Sequence, residues 1–145
     1  MTIKQRTDSQ LTGVAGEFFV AAELSKRGLL TAPTMSNAKD IDLLAFNPET
    51  GQHFAVQVKA KRSKNGTFWL APAKVNRTCI YVFVIVNEPD EPVRYFVVSG
   101  GVLADEPDRF GKYFRGEYGS PGVDPKALVA EGYEGDWSVF SEVAA

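Results

Sequence analysis

The run from Cys79 to Val86, Cys-Ile-Tyr-Val-Phe-Val-Ile-Val, is apolar without interruption. A segment of this kind is a strand buried on both faces, so the sheet that holds it must be covered on both sides. Other strands are predicted around it. Ile41 to Phe46 and Gln52 to Ala60 flank the turn cluster Asn47-Pro48-Glu49-Thr50-Gly51 and form a hairpin. Leu29 to Met35 is a weaker strand, and Val93 to Ser99 follows the turn at Asn87 to Pro92. Ser9 to Arg27 reads as a helix, capped by Asp8 or Ser9 and ended by Gly28. Its Leu11, Val14, Ala15, Phe18, Phe19 and Ala22 make a wide apolar stripe at helical spacing. Thr67 to Leu70 reads as extended, and Val102 to Ala104 as the start of a short helix. Gly111 to Pro125 reads as a long loop, Pro125 to Glu131 as a helical turn or two, and Trp137 to Phe140 as a last strand. Strands interleaved with helices predict an α/β fold. At 145 residues, residues 1–145 suit one domain with a single core.

The hairpin carries a register argument. Ile41, Leu43 and Ala45 share one face of the first strand, and Asp42 points to the other. On the second strand Phe54, Val56, Val58 and Ala60 share a face, with Gln57 and Lys59 opposite. Only one parity puts both apolar sets on the same side. The symmetric choice pairs Leu43 with Val56, Ile41 with Val58 and Asp42 with Gln57, subject to a shift by any bulge near Asp42. Asp42, Gln57 and Lys59 then cluster at the open end of the hairpin. Asp is depleted in strands, and Asp42 follows Asp40 by two residues; like charges so placed repel unless a cation joins them. Glu17 has Gly13, Val14, Val20 and Ala21 as its helical neighbours, a small and apolar surface on which a carboxylate needs a partner.

One cysteine and one histidine exclude a soft-ligand metal cluster, so any metal is held by oxygen, which points to Mg²⁺ or Mn²⁺. Cys79 reads as a buried small hydrophobe. Residues 1–87 hold eleven Lys/Arg against six Asp/Glu, and residues 88–145 hold five against twelve. Between Lys59 and Arg77 there is no acid and there are six bases: Lys59, Lys61, Arg62, Lys64, Lys74 and Arg77. Lys61, Arg62, Lys64, Lys74 and Arg77 therefore form a candidate nucleic-acid-binding strip beside the cluster. No apolar run reaches membrane-spanning length and Met1 to Arg6 has no signal core, so no membrane partner and a cytoplasmic location are expected.

Gly16-Glu17 in a first helix, Asp40-Ile41-Asp42-Leu43-Leu44-Ala45 on a strand, and Gln57-Val58-Lys59 fifteen residues after Asp42 resemble the PD-(D/E)XK nuclease superfamily. The likeness covers residues 13–62; Gln57 stands where that family most often has an acid, a variant found in Mrr-like and resolvase-like branches. The resemblance implies a restriction-endonuclease-like αβββαβ core with a mixed central sheet flanked by helices. It implies a metal-dependent endonuclease acting on duplex or branched DNA, with Glu17, Asp42, Gln57 and Lys59 as catalytic residues. Asp42 would be the central ligand of Mg²⁺ or Mn²⁺, helped by Gln57, the Val58 carbonyl, Glu17 and Asp40. Lys59 would position the attacking water. A homodimer is one arrangement by which two such sites cut two strands; a monomer that nicks is the other. The competing reading is a nuclease-fold protein without catalysis that binds nucleic acid or a protein partner.

Overall fold

A computed structural model of the chain describes residues 2–34 and 40–143, with side chains from Asp8 onward. The chain forms helix α1 (Thr2–Lys26), strands β1 (Leu30–Pro33), β2 (Leu43–Asn47) and β3 (Gln52–Lys61), and a short strand β4 (Phe68–Trp69). Strands β5 (Cys79–Ile85) and β6 (Arg94–Ser99) follow, then helix α2 (Gly100–Asp105), strand β7 (Gly122–Val123) and helix α3 (Pro125–Ala130). The fold is mixed α/β. Five strands lie in the order β1-β2-β3-β5-β6, antiparallel except for the parallel β3–β5 pair, and β4 with β7 makes a separate two-stranded ladder. No helix among the described residues is long and apolar enough to cross a membrane.

All seven residues of β5 are buried, as the apolar run requires. Ile80, Val82 and Val84 face α1 and the C-terminal turn that carries Trp137 and Phe140. Cys79, Tyr81, Phe83 and Ile85 face the opposite core, closed by Phe68, Leu103, Phe110, Phe114, Val123 and Leu128. Each large apolar side chain so buried contributes about 1.5–3 kcal/mol. The hairpin register is as predicted, with Leu43 opposite Val56. Of the predicted strand Leu29 to Met35, Leu30–Pro33 pairs with β2; Met35 lies outside the described residues.

Four expectations are corrected. Helix α1 begins at Thr2, so Asp8 is not a cap; its carbonyl accepts from Thr12 Oγ1 at 2.7 Å within the helix. The end is as predicted: Gly28, at φ 93°, lets Leu29 N–H reach back to Leu24 O at 3.0 Å. The apolar stripe of α1 is not its buried face. Leu11, Val14 and Phe18 are 54%, 49% and 72% exposed, whereas Thr12, Gly16, Val20 and Leu24 are buried. Close approach decides the outcome: a Cβ on Gly16 would lie 2.5 Å from Ala60 Cβ, so the helix seats on the sheet by its small residues. The helix that the αβββαβ pattern puts between the third and fourth strands is absent. The crossover from β3 to β5 holds β4 and one 3₁₀ turn, Pro72–Lys74, because Gly66 and Pro72 interrupt any helical run. Trp137 to Phe140 is a 3₁₀ turn rather than a strand, nucleated by Asp136, whose carboxylate accepts from both N–H and Oγ of Ser138.

Candidate functional site

The site starts from an irregularity in the hairpin. Asp42 N–H donates to Val56 O at 2.9 Å, while Leu43 is the ladder partner of Val56. Two residues thus oppose one, the arrangement of a bulge. Beyond it Ile41 packs with the Tyr81 core while Leu43 lies in the α1 core, so the predicted shared face of Ile41 and Leu43, and with it the direct pairing of Asp42 with Gln57, is broken. With β2 ended, Val58 N–H has no ladder partner and donates instead to Asp42 Oδ2 at 2.8 Å. The Asp42 carboxylate therefore lies along the edge of β3, in a notch between the two faces of the sheet. Among the described residues its Oδ1 has no hydrogen-bond partner. N–H and C=O of one residue point to the same side of a strand, so the Val58 carbonyl also faces the notch. Thr34 clamps the segment: its N–H donates to Asp42 O at 3.1 Å and its hydroxyl to Ile41 O.

Glu17 follows Gly16 on α1, the position at which the helix meets Ala60 and Val58 of β3. Burial raises its pKa above the ordinary carboxylate value, and the nearby charge of Asp42 raises it further. The structure thus places Glu17 and Asp42, 25 residues apart in the chain, near enough for their charges to interact. Asp40 is exposed and left-handed at φ 63°, a conformation Asp tolerates. It lies on the Cys79 side: burial pushes the Cys79 thiol up, and Asp40 and then Asp42 add to it.

Gln57 and Lys59 flank Val58 and point to the opposite face of β3 from Val56. Gln57 is 3% exposed, and among the described residues its Nε2 has no hydrogen-bond partner. Its neighbour across the parallel pair is Tyr81, which is fully buried. Burial raises the Tyr81 hydroxyl, while Asn76 N–H, which donates to Oη at 2.8 Å, and the Gln57 amide act to lower it. Lys59 is half-buried beside Phe83. Among the described residues no ion pair joins Lys59 to Glu17 or Asp42.

The basic strip does not form one surface. Lys61 lies under β4, with Nζ donating to Asn65 O and sitting 5.4 Å from the Phe68 ring centroid; burial lowers its pKa against the pull of Asp124. Arg62 turns to the α1 side, where it donates to Thr12 Oγ1 at 3.3 Å and lies 3.9 Å from Glu88. Arg77 makes a two-pronged pair with Asp105. Lys64 and Lys74 are exposed.

Among the described residues no three His, Cys, Asp or Glu side chains form a group able to hold a metal ion. The oxygen donors on offer are instead the carboxylates of Glu17 and Asp42, whose charges interact, the amide oxygen of Gln57 and the Val58 carbonyl. That set fits a small hard cation, which would relieve the Glu17–Asp42 repulsion. Tyr81, Thr34 and Cys79 were not singled out as site residues from sequence. The parallel register and the return of β1 place them there, and neither leaves a local signal. His53 stacks on Phe46 near the hairpin turn, with centroids 4.5 Å apart, away from the notch. No family model matches the chain, and no curated protein matches it.

Proposed function

We propose that this chain is a metal-dependent endonuclease that hydrolyses phosphodiester bonds in DNA, duplex or branched, with Mg²⁺ or Mn²⁺ as cofactor. The observation that carries the reading is the Asp42 carboxylate held on Val58 N–H, between Gln57 and Lys59, with the charge of Glu17 near enough to interact with it. The succession α1-β1-β2-β3, with β5 parallel to β3, supports a restriction-endonuclease-like fold; the 3₁₀ turn in place of a crossover helix is its departure from that pattern.

Asp42 Oδ1, Glu17, Gln57 Oε1 and the Val58 carbonyl would hold the cation, with Asp40 adding negative charge nearby. When bound, such a cation polarises a phosphoryl oxygen and lowers the pKa of a water. Val58 N–H fixes Asp42 so that only one of its oxygens is committed to the fold. Lys59 supplies a compact positive charge to orient the attacking water and to offset charge on the phosphoryl group. Lys64 and Lys74 offer exposed charge to the phosphate backbone, while Asp105 offsets the charge of Arg77. A homodimer would place two such sites on two strands.

The test is a cleavage panel on duplex, branched and single-stranded DNA in Mg²⁺, Mn²⁺ or chelator. Metal-dependent cleavage by wild type that is lost in Asp42→Asn is the expected result. No cleavage of any substrate with either metal overturns the enzymatic reading. The neutral Gln57 favours a second reading, a nuclease-fold protein that binds nucleic acid or a protein partner without catalysis. Its mark is DNA binding that is equal in chelator and unaffected by Asp42→Asn.

A further inference from the structure

A buried amide N–H without a partner costs about 1–3 kcal/mol, so the orphaned Nε2 of Gln57 calls for an explanation. A Gln side chain offers a cation only its oxygen; the nitrogen presents two N–H groups, which a cation repels. A half-turn of the amide exchanges the two atoms with little change in shape. A site that uses Gln57 therefore depends on something that fixes which way the amide faces. Tyr81 stands beside it across the β3–β5 pair, on the same face and fully buried. Asn76 N–H fills one acceptor position of its hydroxyl at 2.8 Å and holds Oη in place, which leaves a second lone pair. The ring stacks on Phe83 at 19° between planes.

We propose that Tyr81 is the positioning residue of the site: its hydroxyl accepts from Gln57 Nε2 and thereby turns Gln57 Oε1 toward Asp42 and the cation. The arrangement gives the orphaned donor its acceptor and the cation its oxygen. This rests on the metal-site reading above. It also carries a signature that simple packing lacks. A carboxylate at position 57 has two equivalent oxygens and needs no orienting group, so the Tyr81 hydroxyl matters only while residue 57 is an amide.

Mn²⁺ binding to the full chain, measured by calorimetry on wild type, Tyr81→Phe, Gln57→Glu and the double variant, tests it. Tyr81→Phe is expected to weaken Mn²⁺ binding by about 10- to 100-fold, the usual effect of losing a group that orients a metal ligand. In the Gln57→Glu background the same change should alter affinity by about 2-fold or less. Equal affinities of wild type and Tyr81→Phe overturn the role of Tyr81 and leave the metal site standing. Equal weakening in both backgrounds also overturns it, by reducing the hydroxyl to packing. No Mn²⁺ binding by wild type overturns both readings. Amide exchange on wild type with Mg²⁺ keeps the proposal testable should Tyr81→Phe fail to fold: one Gln57 Nε2 proton is expected to exchange slowly, and two fast-exchanging protons overturn the proposal.

Discussion

Replacing Glu17 by Gln separates charge from shape at the notch. The wild-type carboxyl is raised first by burial and then by Asp42, so in the fold it ionises less readily than in the unfolded chain. A group raised in this way contributes stability that is fully present below its unfolded value and is lost as pH rises through its folded value. At neutral pH, without metal, wild type therefore carries the penalty of a partly buried carboxylate near the charge of Asp42, and Glu17→Gln does not. Glu17 is only partly buried, so solvent screens the interaction, and a pair of that exposure is worth about 0.5–1 kcal/mol. For a chain of this length the corresponding rise in Tm is about 1–4 °C. Thermal melts in chelator at pH 7.5 should show Glu17→Gln above wild type, with the difference shrinking as the pH falls to the carboxylate range. Saturating Mg²⁺ should reverse the order, because a ligand that binds only the folded state stabilises by its own affinity and the variant has lost a donor. A variant that melts at or below wild type in chelator refutes the reasoning. So does a gain that is the same at acid and neutral pH.

Asp42→Asn keeps an acceptor for Val58 N–H but makes that bond neutral, a loss of about 1 kcal/mol that relief of repulsion offsets; its chelator melt should lie within about 0.5 kcal/mol of wild type. Asp42→Ala leaves Val58 N–H without that acceptor and should cost about 1–3 kcal/mol in the same chelator melts. Lys59→Met should abolish metal-dependent DNA cleavage while Mn²⁺ binding persists, as calorimetry beside a nicking assay would report. Replacing Lys64 and Lys74 together by Ala should lower the slope of log affinity for DNA against log salt by about 2, whereas Arg77→Ala, already paired with Asp105, should lower it by less than about 1. Gly16→Val should destabilise the fold by about 1–3 kcal/mol in denaturant, since its Cβ meets Ala60 at 2.5 Å.

What was legible from residues alone follows the range of the forces involved. The β2–β3 hairpin was readable as far as Leu43 opposite Val56, because a turn of known chemistry joins two alternating strands; the predicted pairs Ile41–Val58 and Asp42–Gln57 are lost beyond the bulge. β5 was readable because burial on both faces leaves no room for polar residues. The face of α1 was not, because hydropathy points to Leu11 and Phe18 while the contact with β3 is set by the absence of a side chain at Gly16. The basic strip is continuous only as text: strand alternation sends Lys61 and Arg62 to opposite faces, and Asp105 reaches Arg77 from 28 residues away. The site shows the same division. Glu17 and Asp42 stood out as chemically misplaced carboxylates, whereas Gln57 and Lys59 lie where strand alternation allows polar residues and stood out only through the register and the family resemblance. The bulge that turns Asp42 onto Val58 was allowed for but not fixed by the pattern. Tyr81 was hidden altogether, because no short turn sets a parallel register and nothing in an apolar run marks which member stands beside Gln57. From sequence Tyr81 looks like one more buried aromatic until the strand beside it is known.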